Sequence, residues 1–302
     1  MEIKFGTVSF PRNGVLASGI LGVTGCSMAN IADNGAGGIT CKSISKKERS
    51  GHATPVVQVY EHGLLNAVGL SSTGIENSNK ELKYLRENSD AVIIASVFGA
   101  TPEEFKETAV MLEEGNSDII ELNISCPNVA DEFGLAFSAS PETASSVVKA
   151  VRPAVKKPLL VKLSPNFPNI GRIAKSCEDA GADGITAINT VGPGMLIDIH
   201  TYQPKLSNKC GGVSGPAIFP IAVRCVYDIY KSVSIPILGM GGITTAEDAI
   251  QMIAAGARIY GVGTGIILGG KGIFKKINSG IDAYLSDKKM SYDDLVGAAH
   301  KL

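Results

Sequence analysis

The feature that most constrains the fold is a strand–loop–helix unit that recurs about eight times along the chain. Ala91–Val97 is a continuous apolar run rich in β-branched residues, which is typical of a strand buried on both faces. Thr101 then stands at a helix N-cap, with Pro102 at the first helical position and Glu104 three residues past the cap, so a helix to about Glu114 is expected. Strands that alternate with helices indicate a parallel sheet, and eight such units predict an α/β protein with a closed (β/α)₈ TIM barrel.

No change of composition divides these units, so we expect residues 1–302 to form a single domain. An open doubly wound sheet is the alternative, but no G-x-G-x-x-G motif follows an early strand. Two segments are too long for simple turns and would lie on the catalytic face of a barrel: a loop near 127–139 and an insertion near 192–212. The other predicted strands are Gly14–Ala17, Gly38–Thr40, Pro55–Val59, Ile119–Ile124, Pro158–Leu163, Gly184–Thr190, Pro236–Gly242 and Arg258–Thr264, after a hairpin from Ile3 to Val8.

The charge balance argues against binding to nucleic acid. Lysine and arginine number 28 and aspartate and glutamate 29, which gives a formal net charge of −1 and no basic field for phosphates. No apolar run approaches the roughly 20 residues that span a bilayer. Val15–Gly22 could pass for a signal core, but its glycines and the early Glu2 argue against export. We therefore expect neither a nucleic acid nor a membrane as a partner.

The six cysteines, at positions 26, 41, 126, 177, 210 and 225, form no C-x-x-C motif and no metal-like cluster. This scatter predicts reduced thiols in a cytoplasmic protein without a metal site. Cys177 and Cys225 fall in predicted helices and are expected in the core, whereas Cys26, Cys41 and Cys210 are expected as small buried fillers or loop residues. Cys126 alone stands on a predicted catalytic loop beside polar residues, where a thiolate could act as a general base.

Polar side chains and glycine turns follow one strand after another, and a barrel would bring them to one mouth. Asparagines at strand ends are often only turn formers, but several at one rim match the edges of a planar heterocycle with C=O and N–H groups. Lys162 lies within an apolar strand, either as a solvated rim lysine or as a buried cation that needs an anionic partner. The last two strands end in glycines that fit either simple turns or a phosphate site. The set comprises Lys42, Asn66, Asn123, Cys126, Asn128, Lys162, Asn189, Thr190, Gly241-Gly242 and Gly263-Thr264-Gly265.

At Asn123-Ile124-Ser125-Cys126-Pro127-Asn128 the chain resembles the class 1 dihydroorotate dehydrogenases. The resemblance covers essentially the whole chain, because further family motifs stand in the same order at barrel-like spacing. These are Ala17-Ser18-Gly19, Lys42-Ser43, NAVGL at 66–70, VKLSPN at 161–166, INT at 188–190, GGVSGPA at 211–217, GMGG at 239–242 and VGTG at 262–265.

The resemblance implies an FMN-containing barrel that oxidises (S)-dihydroorotate to orotate in pyrimidine (UMP) biosynthesis. Cys126 would be the catalytic general base that removes the C5 proton while C6 delivers hydride to FMN, and 127–139 would be a lid. By the same resemblance, the substrate-binding residues would be Lys42, Asn66, Val68, Gly69, Leu70, Asn123, Asn128, Asn189 and Thr190. The FMN-binding residues would be Ala17, Ser18, Gly19, Lys42, Ser43, Asn123, Lys162, Ile188, Gly215, Gly241, Gly242, Gly263 and Thr264.

The segment Ile197–Leu206 is similar to the NAD-linked B-type enzymes of this family. That similarity implies a homodimer of this chain, joined in a heterotetramer by a subunit that carries FAD and a [2Fe-2S] cluster and passes electrons to NAD. Two segments depart from the family pattern. Ser71-Ser72-Thr73 stands where an asparagine usually follows NAxGL, and Asp131-Glu132-Phe133-Gly134 stands where B-type lids carry consecutive glycines.

Three other readings compete with this one. A flavin enzyme like dihydropyrimidine dehydrogenase shares the NxSCP motif but acts on uracil-type substrates. A dihydrouridine synthase would need a basic face for tRNA, which a net charge of −1 does not favour. A non-catalytic scaffold barrel would not need to keep Cys126 and Lys162.

Overall fold

A computed structural model describes residues 2–125 and 136–301. Within them, eight parallel strands close into a barrel, which confirms the predicted (β/α)₈ fold. The strands of these two ranges, in chain order, are β1 (Ile3–Phe5), β2 (Val8–Phe10), β3 (Gly14–Leu16), β4 (Gly38–Thr40), β5 (Val57–Tyr60), β6 (Gly63–Asn66), β7 (Val92–Val97), β8 (Ile119–Asn123), β9 (Leu159–Leu163), β10 (Gly184–Ala187), β11 (Val191–Gly194), β12 (Gly211–Ser214), β13 (Ile237–Met240) and β14 (Ile259–Val262). The barrel runs β3-β4-β7-β8-β9-β10-β13-β14 and returns to β3.

The helices begin where the sequence places capping residues. The hydroxyl of Thr101 accepts a hydrogen bond from the Glu104 amide, and reciprocal capping boxes join Ser140 to Thr143 and Thr245 to Asp248. The α-helices of the described residues are α1 (Gly25–Asp33), α2 (Gly74–Asn88), α3 (Pro102–Glu113), α4 (Pro141–Val151), α5 (Ile170–Asp179), α6 (Phe219–Tyr230), α7 (Ala246–Ala254), α8 (Thr264–Gly269), α9 (Ile273–Lys288) and α10 (Tyr292–Leu295). Short 3₁₀ turns occupy Phe137–Ala139, Arg152–Ala154, Pro216–Ile218 and Ala298–His300.

The β1–β2 hairpin packs against the amino-terminal end of the barrel. Phe5 and Phe10 are buried with their rings edge to face, 5.9 Å between centroids. Phe10 lies against the first residue of β4, Gly38, and Phe5 against the first residue of β10, Gly184. These rings close the end of the barrel opposite to the one where the strands finish.

A second, four-stranded sheet in the order β11-β12-β6-β5 flanks the barrel. The strand predicted at Pro55–Val59 lies here as β5, so its expected place among the barrel units is wrong. The reason is local: β5 pairs antiparallel with β6 across a two-residue turn, and its Val57 and Val59 are exposed, whereas a barrel strand is parallel and buried on both faces. Both strands of the insertion, β11 and β12, belong to this sheet.

Apolar side chains between the barrel strands and the helices form one large core, and Leu65, Ala67 and Leu206 form a small separate cluster. All six residues of β7 are buried, Ser96 included, as its largely apolar sequence predicts. Cys177 is buried in α5 as expected, Cys225 is only partly buried, and Cys26 is exposed on α1 rather than buried. No helix in the described ranges is long and apolar enough to cross a membrane. The division into a single domain stays a prediction.

Candidate active site

A cavity of about 240 Å³ opens at the end of the barrel where the strands finish. It is lined by residues at or just beyond the ends of successive strands, including Ala17 after β3, Lys42 after β4, Asn123 in β8, Lys162 in β9 and Asn189 after β10. Because barrel enzymes place their chemistry at this end of the strands, this cavity is the candidate active site.

Within the described part of the chain, every residue predicted to bind substrate or cofactor lines this one cavity. These are Ala17, Ser18, Gly19, Lys42, Ser43, Asn66, Val68, Gly69, Leu70, Asn123, Lys162, Ile188, Asn189, Thr190, Gly215, Gly241, Gly242, Gly263 and Thr264. Cys126, Asn128 and most of the predicted lid lie outside the described residues. The shared location is consistent with a single site, and the role of each residue stays a prediction.

A chain of hydrogen bonds fixes the amides of the site. Asn123 Nδ2 donates to Ser43 Oγ at 3.0 Å, and Ser125 Oγ donates to Asn123 Oδ1 at 2.9 Å. Asn189 Nδ2 in turn donates to Ser125 Oγ at 2.8 Å, and Asn189 Oδ1 accepts from the Thr190 amide. Each amide keeps a second hydrogen and a second lone pair for a ligand. Asn123 and Asn189 are therefore held in one orientation by their neighbours.

Lys162 is 5% exposed and lines the cavity. Its ammonium forms no hydrogen bond or ion pair with any residue that the structure describes. The interpretation of this residue as a solvated rim lysine is therefore not supported. A buried cation is costly unless a group with negative charge compensates it, so Lys162 marks where such a group would lie.

Bare backbone lines the cavity beyond β13. Gly241 and Gly242 have φ angles of +131° and +78°, which L side chains rarely adopt. A Cβ at Gly242 would lie 2.7 Å from Phe219 Cβ and 2.9 Å from the Gly215 carbonyl oxygen. Only glycine fits this position, and peptide groups without side chains can approach an anion closely.

Cys41 is adjacent in sequence to Lys42, which lines the cavity, but its thiol is poorly suited to act as a general base. Burial raises its pKa to about 12. A thiol with that pKa is protonated at neutral pH. Cys41 is instead a small buried filler, as the sequence predicts.

Of the two segments that depart from the family pattern, 131–134 lies outside the described residues, and the other lies around a second cavity, of about 260 Å³. It is lined by Ser71, Ser72 and Thr73 and shares Lys42 and Ser43 with the first cavity. The Ser72 hydroxyl accepts hydrogen bonds from the backbone amides at positions 45 and 74. Ser72 thus has a structural task in the loop that leads to α2.

Sequence reasoning missed Glu121, a fully buried carboxyl group in β8. Its Oε2 accepts a 2.8 Å hydrogen bond from Thr186 Oγ1 in β10. The available signal was a glutamate inside an apolar strand, two residues before Asn123. Apolar lining residues, among them Ile20, Leu64 and Met240, were also not predicted. Among described residues, no group of His, Cys, Asp and Glu could hold a metal ion.

Comparison with known proteins decides the family. The family model described as dihydroorotate dehydrogenase matches residues 1–285. This chain belongs to the dihydroorotate dehydrogenase family. Relatives named as the catalytic subunit of dihydroorotate dehydrogenase B (NAD(+)) match nearly its full length. The one from Methanothermobacter thermautotrophicus is 45% identical, with 99% of this chain and 98% of the relative covered. The one from Pyrococcus horikoshii is 41% identical, with 100% and 98% covered.

A solved structure supports the fold independently. A dihydroorotate dehydrogenase from Eimeria tenella, determined in complex with ferulenol, superposes with a TM-score of 0.87 at 20% identity, covering 100% of this chain and 89% of the other. At 20% identity this similarity supports the barrel fold and nothing further. Membership of the dihydroorotate dehydrogenase family confirms the predicted activity: the chain is a flavin-dependent oxidoreductase that oxidises dihydroorotate.

Proposed function

We propose that this dihydroorotate dehydrogenase is an FMN-bearing catalytic subunit whose mouth cavity holds both FMN and dihydroorotate. One observation carries the assignment of the site: Lys162 lies buried in the cavity without a partner among the described residues, in register with Asn123 of the neighbouring strand. A cation beside ordered amides suits a heterocycle that gains negative charge during the reaction.

FMN fits the residues that line the cavity. The bare backbone at Gly241-Gly242, with Gly215, Gly263 and Thr264 also in the lining, would hold the phosphate. Lys162 would lie at the ring, and Ala17, Ser18, Gly19, Ser43 and Ile188 would complete the flavin site. Bound FMN supplies the acceptor for the two electrons that leave the substrate.

The chain's own residues would bind and deprotonate the substrate. Asn66, Asn123, Asn189 and Thr190, with Asn128 outside the described residues, would hold the ring and carboxylate of dihydroorotate together with Lys42. Cys126, directly after the buried Ser125, would take the proton from C5. When C5 loses this proton and C6 loses a hydride (two electrons and one proton), the C5–C6 double bond of orotate remains.

We further propose a partner subunit that carries FAD and a [2Fe-2S] cluster and passes electrons to NAD. The names of the full-length relatives support this, since each is a catalytic subunit of an NAD(+) enzyme. In the insertion, Ile197, Ile199 and Tyr202 are exposed, and such apolar residues suit contact with another protein. A homodimer of this chain within a heterotetramer, located in the cytoplasm, completes the proposal.

The test is the visible spectrum of the purified chain, before and after anaerobic addition of dihydroorotate. We expect a flavin band that bleaches with dihydroorotate but not with dihydrouracil. Cys126→Ala should bind FMN and bleach slower by about 100-fold or more, since positioned bases contribute roughly 10²–10⁴-fold. A yellow chain that only dihydrouracil bleaches would move the assignment to the dihydropyrimidine dehydrogenase type.

A further inference from the structure

A carboxyl group lies inside the barrel, one layer below the floor of the cavity. Glu121 precedes Asn123 by two residues in β8, so both side chains point to the same face and Glu121 lies deeper. It is fully buried, with one hydrogen bond from Thr186 to Oε2 and none to Oε1 from any described residue. A single hydrogen bond does not offset the cost of burying a carboxylate, so packing alone does not explain this residue.

The strand register brings this carboxyl group beneath Lys162. Asn123 in β8 is the partner of Lys162 in β9, and Lys162 is the partner of Thr186 in β10. Side chains of partnered residues point to the same face of the barrel wall. Because Glu121 bonds to Thr186 at 2.8 Å, its side chain crosses β9 on that face, below Lys162.

We propose that Glu121 is ionised and acts as a positioning residue, offsetting and holding the charge of Lys162 at the flavin site. In the barrel interior little water screens the two charges, so each still acts on the other without direct contact. The carboxylate would offset the charge of Lys162 and would weaken its positive field at the cavity. This inference rests on the proposed flavin site.

A protonated, neutral Glu121 is the alternative, and the substitution Glu121→Gln separates the two. The glutamine amide would keep an oxygen for Thr186 and would have the shape of the neutral acid. Thr40 offers a matched control, because it is fully buried in the barrel, its hydroxyl also lacks a partner among described residues, and it is uncharged.

The first measurement is the two-electron midpoint potential of the FMN-loaded full chain. With E121Q we expect the equilibrium constant for flavin reduction to rise about tenfold, which is an upward shift of about 30 mV in the midpoint potential. Loss of a negative charge favours the reduced, more negative flavin. T40V should leave the potential unchanged, and Glu121→Asp, which keeps the charge, should shift it less than E121Q. An unchanged or lower potential in E121Q overturns the proposal.

The second measurement needs no flavin. Urea unfolding of the flavin-stripped full chain is compared for wild type, E121Q, K162M and the double variant. We expect K162M to destabilise the wild type more than it destabilises E121Q, by at least about fivefold in the unfolding equilibrium constant. In the wild type the substitution leaves the buried charge of Glu121 uncompensated, whereas in E121Q that charge is already gone. Additive effects overturn the proposal. A chain that takes up no FMN would instead contradict the proposed function, and this cycle would then decide the inference alone.

Discussion

The side-chain amide of Asn189 donates a 2.8 Å hydrogen bond to the hydroxyl of Ser125. Ser125 is fully buried and immediately precedes Cys126, and its hydroxyl donates a hydrogen bond to Asn123 Oδ1. The contact therefore joins the ends of β8 and β10 across β9, the strand that carries Lys162. Two predicted substrate ligands and the residue before the predicted base are thus held as one unit.

Ser125→Ala should weaken substrate binding more than it slows turnover. The change removes both hydrogen bonds that join Ser125 to the two asparagines. Such bonds contribute roughly 0.5–1.5 kcal/mol each, so we expect KM for dihydroorotate to rise about 5- to 150-fold. Steady-state kinetics would measure it. Ser145→Ala is the control, because that serine is buried in α4 and bonds only to a helix carbonyl. A KM equal to that of the control would show that the link does not orient the amides.

Lys162→Met should slow reduction of bound flavin by roughly 100-fold or more, the usual effect of losing one preorganised electrostatic contact. Stopped-flow absorbance with anaerobic dihydroorotate measures this step. Lys157→Met is the matched control. Lys157 shortly precedes β9 in sequence and so lies at the opposite end of the barrel, where its ammonium donates to the Leu112 and Gly115 carbonyls. We expect the control to lose stability and to keep the flavin reduction rate. Wild-type reduction in Lys162→Met would remove the residue from the flavin site.

Much of this architecture follows from local sequence signals. The apolar run at Val92–Val97 and the capping residue Thr101 predict their strand and helix because each signal acts within a few residues. Placing Asn123 and Lys162 at one mouth needs only the rule that parallel strands finish together. Cys126 was singled out by its loop and by family resemblance, and it stays a prediction.

Other features depend on contacts that sequence does not encode locally. The run at Val57–Tyr60 has strand character, but its partner β6 and its separation from the barrel are matters of pairing. Glu121 stands in a run that is apolar on both sides, so alternation could not assign it to the barrel interior. Its significance appears only with the register, which pairs Glu121 with Leu160, two residues before Lys162, and with the hydrogen bond from Thr186.

Gly242→Ala should lower the affinity for FMN, because the added Cβ would meet Phe219 and the Gly215 carbonyl and move the backbone of the proposed phosphate site. We expect a loss of at least about tenfold, or about 1.4 kcal/mol, by fluorescence titration of the stripped chain. Gly270→Ala is matched to it: φ there is +73°, close to the +78° of Gly242, but no atom lies within 4 Å of an added Cβ. That control should lose stability through backbone strain alone. Equal FMN affinities in the two variants would contradict the phosphate assignment.

Glu178→Gln should change how stability depends on pH, far from the active site. Partial burial raises the pKa of Glu178, but hydrogen bonds from Ser234 and the ion pair with Lys175 outweigh this and lower the pKa from 4.5 to about 2. Because the folded-state pKa lies below the unfolded value, the carboxylate stabilises the fold fully above pH 4.5, and this stabilisation is lost as pH falls toward 2. Urea unfolding at pH 6, 4 and 3 should therefore show a higher free energy of unfolding for the wild type than for Glu178→Gln at pH 6. This gap in stability should close as pH falls. Glutamine keeps an acceptor for Ser234, so the closing gap reports the charge, and a gap that stays constant with pH would contradict the lowered pKa.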